Sequence, residues 1–135
     1  MRSGQDVEFI LYVKDQKRST EFYKLLLRKE PALEVEGMTE FVLNPFSKLG
    51  LMPNHGIAKI ISGPCIHPDE GQGIPRCELY LKVSDPHEMF KLALYNGASA
   101  VSEAQPRDWG DLVAYVSDPD GHILAFAATM GGELG

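Results

Sequence analysis

An internal repeat limits this fold more than any other feature of the chain. "EFILYVKD" (residues 8–15) and "ELYLKVSD" (residues 78–85) begin 70 residues apart and read alike. Both alternate with the period of two that a strand imposes. In the first, Phe9, Leu11 and Val13 share one face and Glu8, Ile10 and Tyr12 the other. In the second, Leu79, Leu81 and Val83 oppose Glu78, Tyr80 and Lys82. Each segment ends on an aspartate, Asp15 or Asp85, whose carboxylate can accept from the free N–H groups of a following helix. After Asp15, residues Arg18, Phe22, Leu25 and Leu26 recur at helical spacing as far as "RKEP". After Asp85, Pro86 suits the first helical position and Glu88 falls three residues past the cap. Met89, Leu92 and Ala93 then form a stripe, and Gly97 ends the helix.

The repeat continues. "EFVLNPFSKLGLM" (residues 40–52) aligns with "AYVSDPDGHILAF" (residues 114–126), each a strand, an Asn-Pro or Asp-Pro turn and a second strand. Asn44 and Asp118 can bond their own backbone, and the prolines fix φ for the turn. The chain therefore reads as one domain over residues 1–135, built from two βαβββ modules at about 5–53 and 76–130. The connector, about 54–75, is rich in Gly and Pro, with "IAKIIS" as a short strand within it. At that length it is either a plain link or a loop over a binding site.

Composition removes several function classes. The net charge is −6, and no Lys/Arg cluster offsets it, which argues against a nucleic-acid partner. No apolar run approaches the roughly 18 residues that span a bilayer. The N-terminus has no apolar signal-peptide core, so a cytoplasmic protein without a membrane partner is expected. Cys65 and Cys77 lack zinc-type pairing and read as reduced thiols. His122 is expected on the strand face opposite Ile123 and Ala125, as a structural residue.

Three segments, "YVKDQKRSTEFYKLLL", "LKVSDPHEMFKLALYNGA" and "RDWGDLVAYVSDPDGHILAFA", resemble the vicinal oxygen chelate superfamily. That group includes glyoxalase I, extradiol dioxygenases, and fosfomycin- and bleomycin-resistance proteins. The resemblance implies an α+β fold. Two βαβββ modules would form an incurved mixed eight-stranded sheet around a cavity, with helices on the convex side, in a homodimer. It also implies four metal positions, one on the first strand and one on the last strand of each module. Counted from the two caps and the two turns, these fall on Glu8, Glu78, Leu51 and Ala125. Leu51 and Ala125 have no donor atom, and zinc wants about four ligands and a hard ion about six. No cofactor is therefore expected. The alternative is a divalent metal near Glu8 and Glu78, completed by His55, Cys65 or His67 of the connector.

The expected ligand wall is Glu8, Tyr12, Phe41, Leu51, Glu78, Tyr80, Trp109, Tyr115 and Ala125. Such an apolar, aromatic surface with a few acids suits a small molecule. Trp109 can stack on a planar or cationic group. Glu8 and Glu78 either meet a cationic or hydrogen-bonding ligand, or are solvated or paired with Lys82, Arg76 or Arg107. Two function classes follow. One is a metal-free protein that binds an aromatic or cationic drug-like molecule, as in the bleomycin-resistance branch. The other is a metal-dependent lyase or isomerase of the glyoxalase I type, with Glu8 or Glu78 moving a proton.

Overall fold

A computed structural model describes residues 6–71 and 73–131, which form two compact units. The first holds β1 (Val7–Val13), α1 (Gln16–Leu27), β2 (Leu33–Val35), β3 (Met38–Asn44), β4 (Ser47–Pro53) and α2 (Asn54–Ile61). The second holds β5 (Glu78–Lys82), α3 (Pro86–Tyr95), β6 (Ser99–Pro106), β7 (Asp111–Ser117) and β8 (Ile123–Thr129). The sheet orders are β1-β4-β3-β2 and β5-β8-β7-β6. In each, the first strand runs parallel to the last, and the remaining neighbours are antiparallel. Each unit is thus a βαβββ module with a mixed sheet.

The helix ends obey local chemistry. Asp15 accepts from Arg18 N at 3.1 Å, and Asp85 accepts from His87 N and Glu88 N. Arg28 closes α1 in the left-handed region at φ 57°, its N–H reaching Lys24 O. In the first module, α1 covers one sheet face. Thr20 Oγ1 on α1 meets Thr39 Oγ1 on β3 at 2.9 Å, and Gln16 Nε2 also donates to Thr39. The register sets Thr39 beside Leu51 and Phe41 beside Leu49, so all four face α1, and all are fully buried. In the second module, Ala114, Val116, Leu124 and Phe126 are fully buried on the side that α3 covers.

Two corrections to the sequence reading follow. "IAKIIS" lies mostly in helix α2, not in a strand. Asn54, Ile57 and Ala58 recur at i, i+3 and i+4 and bury one face, and a helix satisfies its own backbone without a partner strand. The second correction concerns the hairpin register. Pairing sets Val42 opposite Lys48 and Ser117 opposite Ile123, so equivalent strand positions lie 75 residues apart. The Asn44–Asp118 spacing is 74. Aligning the two turns therefore puts the strands one residue out of step, and one residue reverses every side chain.

Candidate functional site

Each module presents the sheet face that its own helix leaves uncovered. In the first, β1 and β4 pair Glu8 with Lys48, Ile10 with Gly50 and Tyr12 with Met52, while β3 brings Glu40 beside Gly50. Gly50 makes the close approach possible: an added Cβ would lie 2.6 Å from Glu8 Oε2. Lys48 Nζ is 3.4 Å from Glu40 Oε1. Glu8 Oε2 is buried and meets no donor among the described residues. Burial raises the Glu8 pKa above its usual value, and the neighbouring Glu40 carboxyl raises it further, with Lys48 opposing.

Phe41 and Leu51 leave the expected wall, because they face α1 and have no exposed surface. Their positions on the uncovered face are taken by Glu40 and Gly50, which the turn-based alignment missed. The signal was in the alternation: Glu40, Lys48 and Gly50 fall on one face, and Phe41, Leu49 and Leu51 on the other. Tyr12 keeps its place on the uncovered face and is half-exposed.

In the second module, Tyr80, Ala125 and Tyr115 sit side by side on three neighbouring strands. Ala125 shares this face but is fully buried, with both tyrosines packed against its cluster, so it offers no surface to a ligand. Glu78 lies at the start of β5, exposed, and makes no ion pair among the described residues. A polar chain crosses the end of the sheet. Trp109 Nε1 donates to Tyr80 Oη at 2.8 Å, and Tyr80 Oη donates to Asp111 Oδ2 at 2.5 Å. Lys82 Nζ reaches the same oxygen at 3.2 Å and Thr129 Oγ1 at 3.1 Å. The bond from Tyr80 is the largest influence on Asp111 and holds its pKa below the usual value, with Lys82 adding to it. Burial, with the same bond, pushes the Tyr80 hydroxyl up. The network fixes Trp109 by its N–H while 59% of the residue stays exposed. Asp111, Lys82 and Arg107 were not among the expected wall residues. Arg107 lies over the Tyr115 ring, 5.1 Å from its centroid.

The chain matches the family model described as "Glyoxalase/Bleomycin resistance protein/Dioxygenase superfamily" over residues 7–126. It belongs to that superfamily. Among solved structures, a glyoxalase-related enzyme from Fulvimarina pelagi is 20% identical, with TM-score 0.79, covering 93% of this chain and 88% of its own. A glyoxalase/bleomycin resistance protein/dioxygenase family enzyme from Burkholderia phytofirmans is 11% identical, with TM-score 0.77 and coverage of 91% and 97%. A protein from Agrobacterium tumefaciens is 28% identical, with TM-score 0.72 and coverage of 92% and 96%. No curated protein matches by sequence. No helix among the described residues is long and apolar enough to cross a membrane.

The superfamily's metal chemistry needs several side-chain donors brought together. Among the described residues, no three His, Cys, Asp or Glu side chains come together as metal ligands. Glu8 pairs with Lys48 across β1 and β4, its carboxyl lying over Gly50, and Glu78 pairs with Ile123. Of the connector candidates, His55 and Cys65 are exposed. His67 accepts from Asp69 N at 3.1 Å through Nδ1, and Asp69 in turn accepts from Asn54.

Proposed function

We propose that this member of the superfamily is a metal-free small-molecule-binding protein, and that its ligand lies against the uncovered face of the second module. One observation carries the reading. Trp109 presents most of a large apolar ring to solvent while Tyr80 and Asp111 hold it in one orientation. A rigid, exposed indole loses little freedom when a flat ring stacks on it. The donor set adds support, because glycine and apolar residues stand where chelation would need side-chain donors.

Of the two ligand types suggested by the sequence, the aromatic one is favoured. Asp111 already shares its charge with Lys82, and Glu40 with Lys48, so neither uncovered face is a strong cation trap. Tyr80 and Tyr115 extend the apolar surface beside Trp109. In this reading the protein acts in the cytoplasm as a homodimer, and sedimentation equilibrium tests the assembly.

The test is a titration of intrinsic fluorescence with planar aromatic compounds of differing charge. Trp109 is the only tryptophan, so it is the reporter. Saturable quenching is expected, with a stacked aromatic contributing about 1 kcal/mol, hence a severalfold weaker Kd by calorimetry in Trp109→Leu. Flat titrations across the panel, or Trp109→Leu binding as tightly as the parent, would reject the reading.

A further inference from the structure

Arg107 follows β6 in the short connection to β7, and its side chain reaches back over the uncovered face of the second module. It does so because β6 is bulged. Ser102 pairs with Tyr115 and Gln105 with Val113, three steps on β6 against two on β7. The Arg107 Nη2 group fills the irregularity: it donates to Ser102 Oγ at 2.7 Å, to Val113 O at 3.0 Å and to Glu103 O at 3.4 Å. Those three acceptors occupy both hydrogens of Nη2. The guanidinium is held a second way, stacked on the Tyr115 ring. It is thus fixed in place before any ligand arrives.

What it lacks is a counter-charge. The chain carries 19 acidic residues against 13 lysines and arginines, yet among the described residues none pairs with Arg107. All its protein acceptors are neutral. Its Nε is buried and finds no acceptor among the described residues, and none accepts from Nη1. Nε has no surface for a ligand to touch, so Nη1 is the donor left to an incoming anion, whose charge also offsets the cost of the unmet Nε nearby. Tyr80 and Tyr115 flank Ala125, two strand spacings or roughly 10 Å apart.

We infer that Arg107 is a specificity-determining residue that receives the carboxylate, or a like anionic group, of an aromatic ligand resting on Tyr80, Tyr115 and Trp109. The inference rests on the reading of this face as the ligand wall. It also narrows that reading from aromatic compounds in general to aromatic acids. The cation gives orientation as well as attraction: the acid end goes to β6 and the ring to Trp109. Tyr115 sets the height of the guanidinium and Ser102 its rotation, so both act as positioning residues.

The experiment is isothermal titration calorimetry of the full chain with 2-naphthoate, 2-naphthamide and 2-naphthylmethylammonium. These probes share a ring and differ in charge. The acid is expected to bind at least tenfold more tightly than the amide, and added NaCl should weaken the acid selectively. In Arg107→Gln, shown folded by its circular dichroism melt, the gap between acid and amide should fall below about twofold, while Arg107→Lys keeps part of it. The comparison of probes on the unaltered protein needs no variant, so a misfolded Arg107→Gln does not shelter the inference. Equal affinity for acid and amide would overturn it, as would a gap that survives in Arg107→Gln. If the amide and ammonium bind and the acid does not, the ligand face stands and the role of Arg107 falls. If no probe binds, both fall.

Discussion

Gly50 lies under the Glu8 carboxyl, and a Cβ there would stand 2.6 Å from Glu8 Oε2 and 3.1 Å from Ile10 Cγ1. The nearest atom is the far end of a flexible side chain, so an alanine displaces the carboxyl rather than the backbone. Gly50→Ala is expected to leave the melting temperature within a few degrees of the parent. It should also return the Glu8 titration towards its ordinary value, because the carboxyl leaves both its buried position and Glu40. Carboxyl-carbon NMR titration reads this directly, and an unchanged Glu8 titration would show that Gly50 does not set its position. The sign of the pH effect follows from the raised pKa. The folded chain holds this proton more tightly than the unfolded one, whose value is near 4.5. The stabilisation is complete below that pH and lost as pH rises through the folded value. Above the folded value the ionised Glu8 is therefore a liability that Glu8→Gln removes. The gain is no more than about 1 kcal/mol, since part of the side chain reaches solvent. Melts at pH 7.5 and pH 4 test it: the advantage of Glu8→Gln should vanish at the lower pH, and an equal gain at both would refute the raised Glu8 pKa.

Elements differ in how openly their residues announce them. The caps of α1 and α3 were legible because capping is local: Asp15 and Asp85 act within three residues of themselves. The faces of β1 and β5 were legible for the same reason, from strict alternation. The register of the β3–β4 hairpin was not, because the Asn-Pro and Asp-Pro turns are similar in sequence but sit one residue apart relative to their strands. Turn residues report backbone conformation nearby, whereas register is decided by which side chains the helix buries. Thr39, Phe41, Leu49 and Leu51 make that decision here. The placement of Arg107 over the uncovered face was not legible because it depends on a bulge in β6 that no turn signal marks. The two turns also differ in strength. Asp118 is nearly buried and its Oδ1 accepts from Asp120 N at 2.8 Å and His122 N at 2.9 Å. Asn44 is exposed and, among the described residues, accepts one side-chain bond, from Phe46 N at 2.9 Å. Hydrogen bonds to a charged acceptor contribute about 1.5–3 kcal/mol and neutral ones about 1. Asp118→Ala should therefore cost about 2–3 kcal/mol in urea unfolding, and Asn44→Ala about 1 or less. Equal costs would mean that the two turns are held by the same interactions after all.

At the scale of the whole molecule, the repeat explains the likeness to the superfamily and marks out the positions on which its metal chemistry would depend. Each module keeps the strand, capped helix and hairpin that build a βαβββ unit, because those features stabilise the fold by themselves. The positions that would carry metal donors are not needed to hold that frame together. Here the two modules carry different residues at them. The first holds Glu8 against Gly50 and Glu40, with Lys48 beside Glu40. The second holds an exposed Glu78 opposite Ile123, while its remaining polar groups, Tyr80, Asp111 and Lys82, are bonded to one another. A cation entering the first module would have to compete with Lys48 for Glu40. Two carboxylates in that position, with water completing the shell, fall short of the about six oxygens a hard ion takes. A divalent metal is therefore expected to bind weakly. The protein, dialysed against chelator and then given 0.1 mM (on the order of ordinary assay levels) Zn²⁺, Ni²⁺ or Mn²⁺, should melt at an unchanged temperature, because ligand stabilisation becomes appreciable only well above Kd. Elemental analysis of the untreated protein should find no metal near one equivalent per chain. A clear upward shift with any of the three ions, abolished by Glu8→Gln or Glu78→Gln, would restore the lyase or isomerase reading and make one of these glutamates its proton carrier.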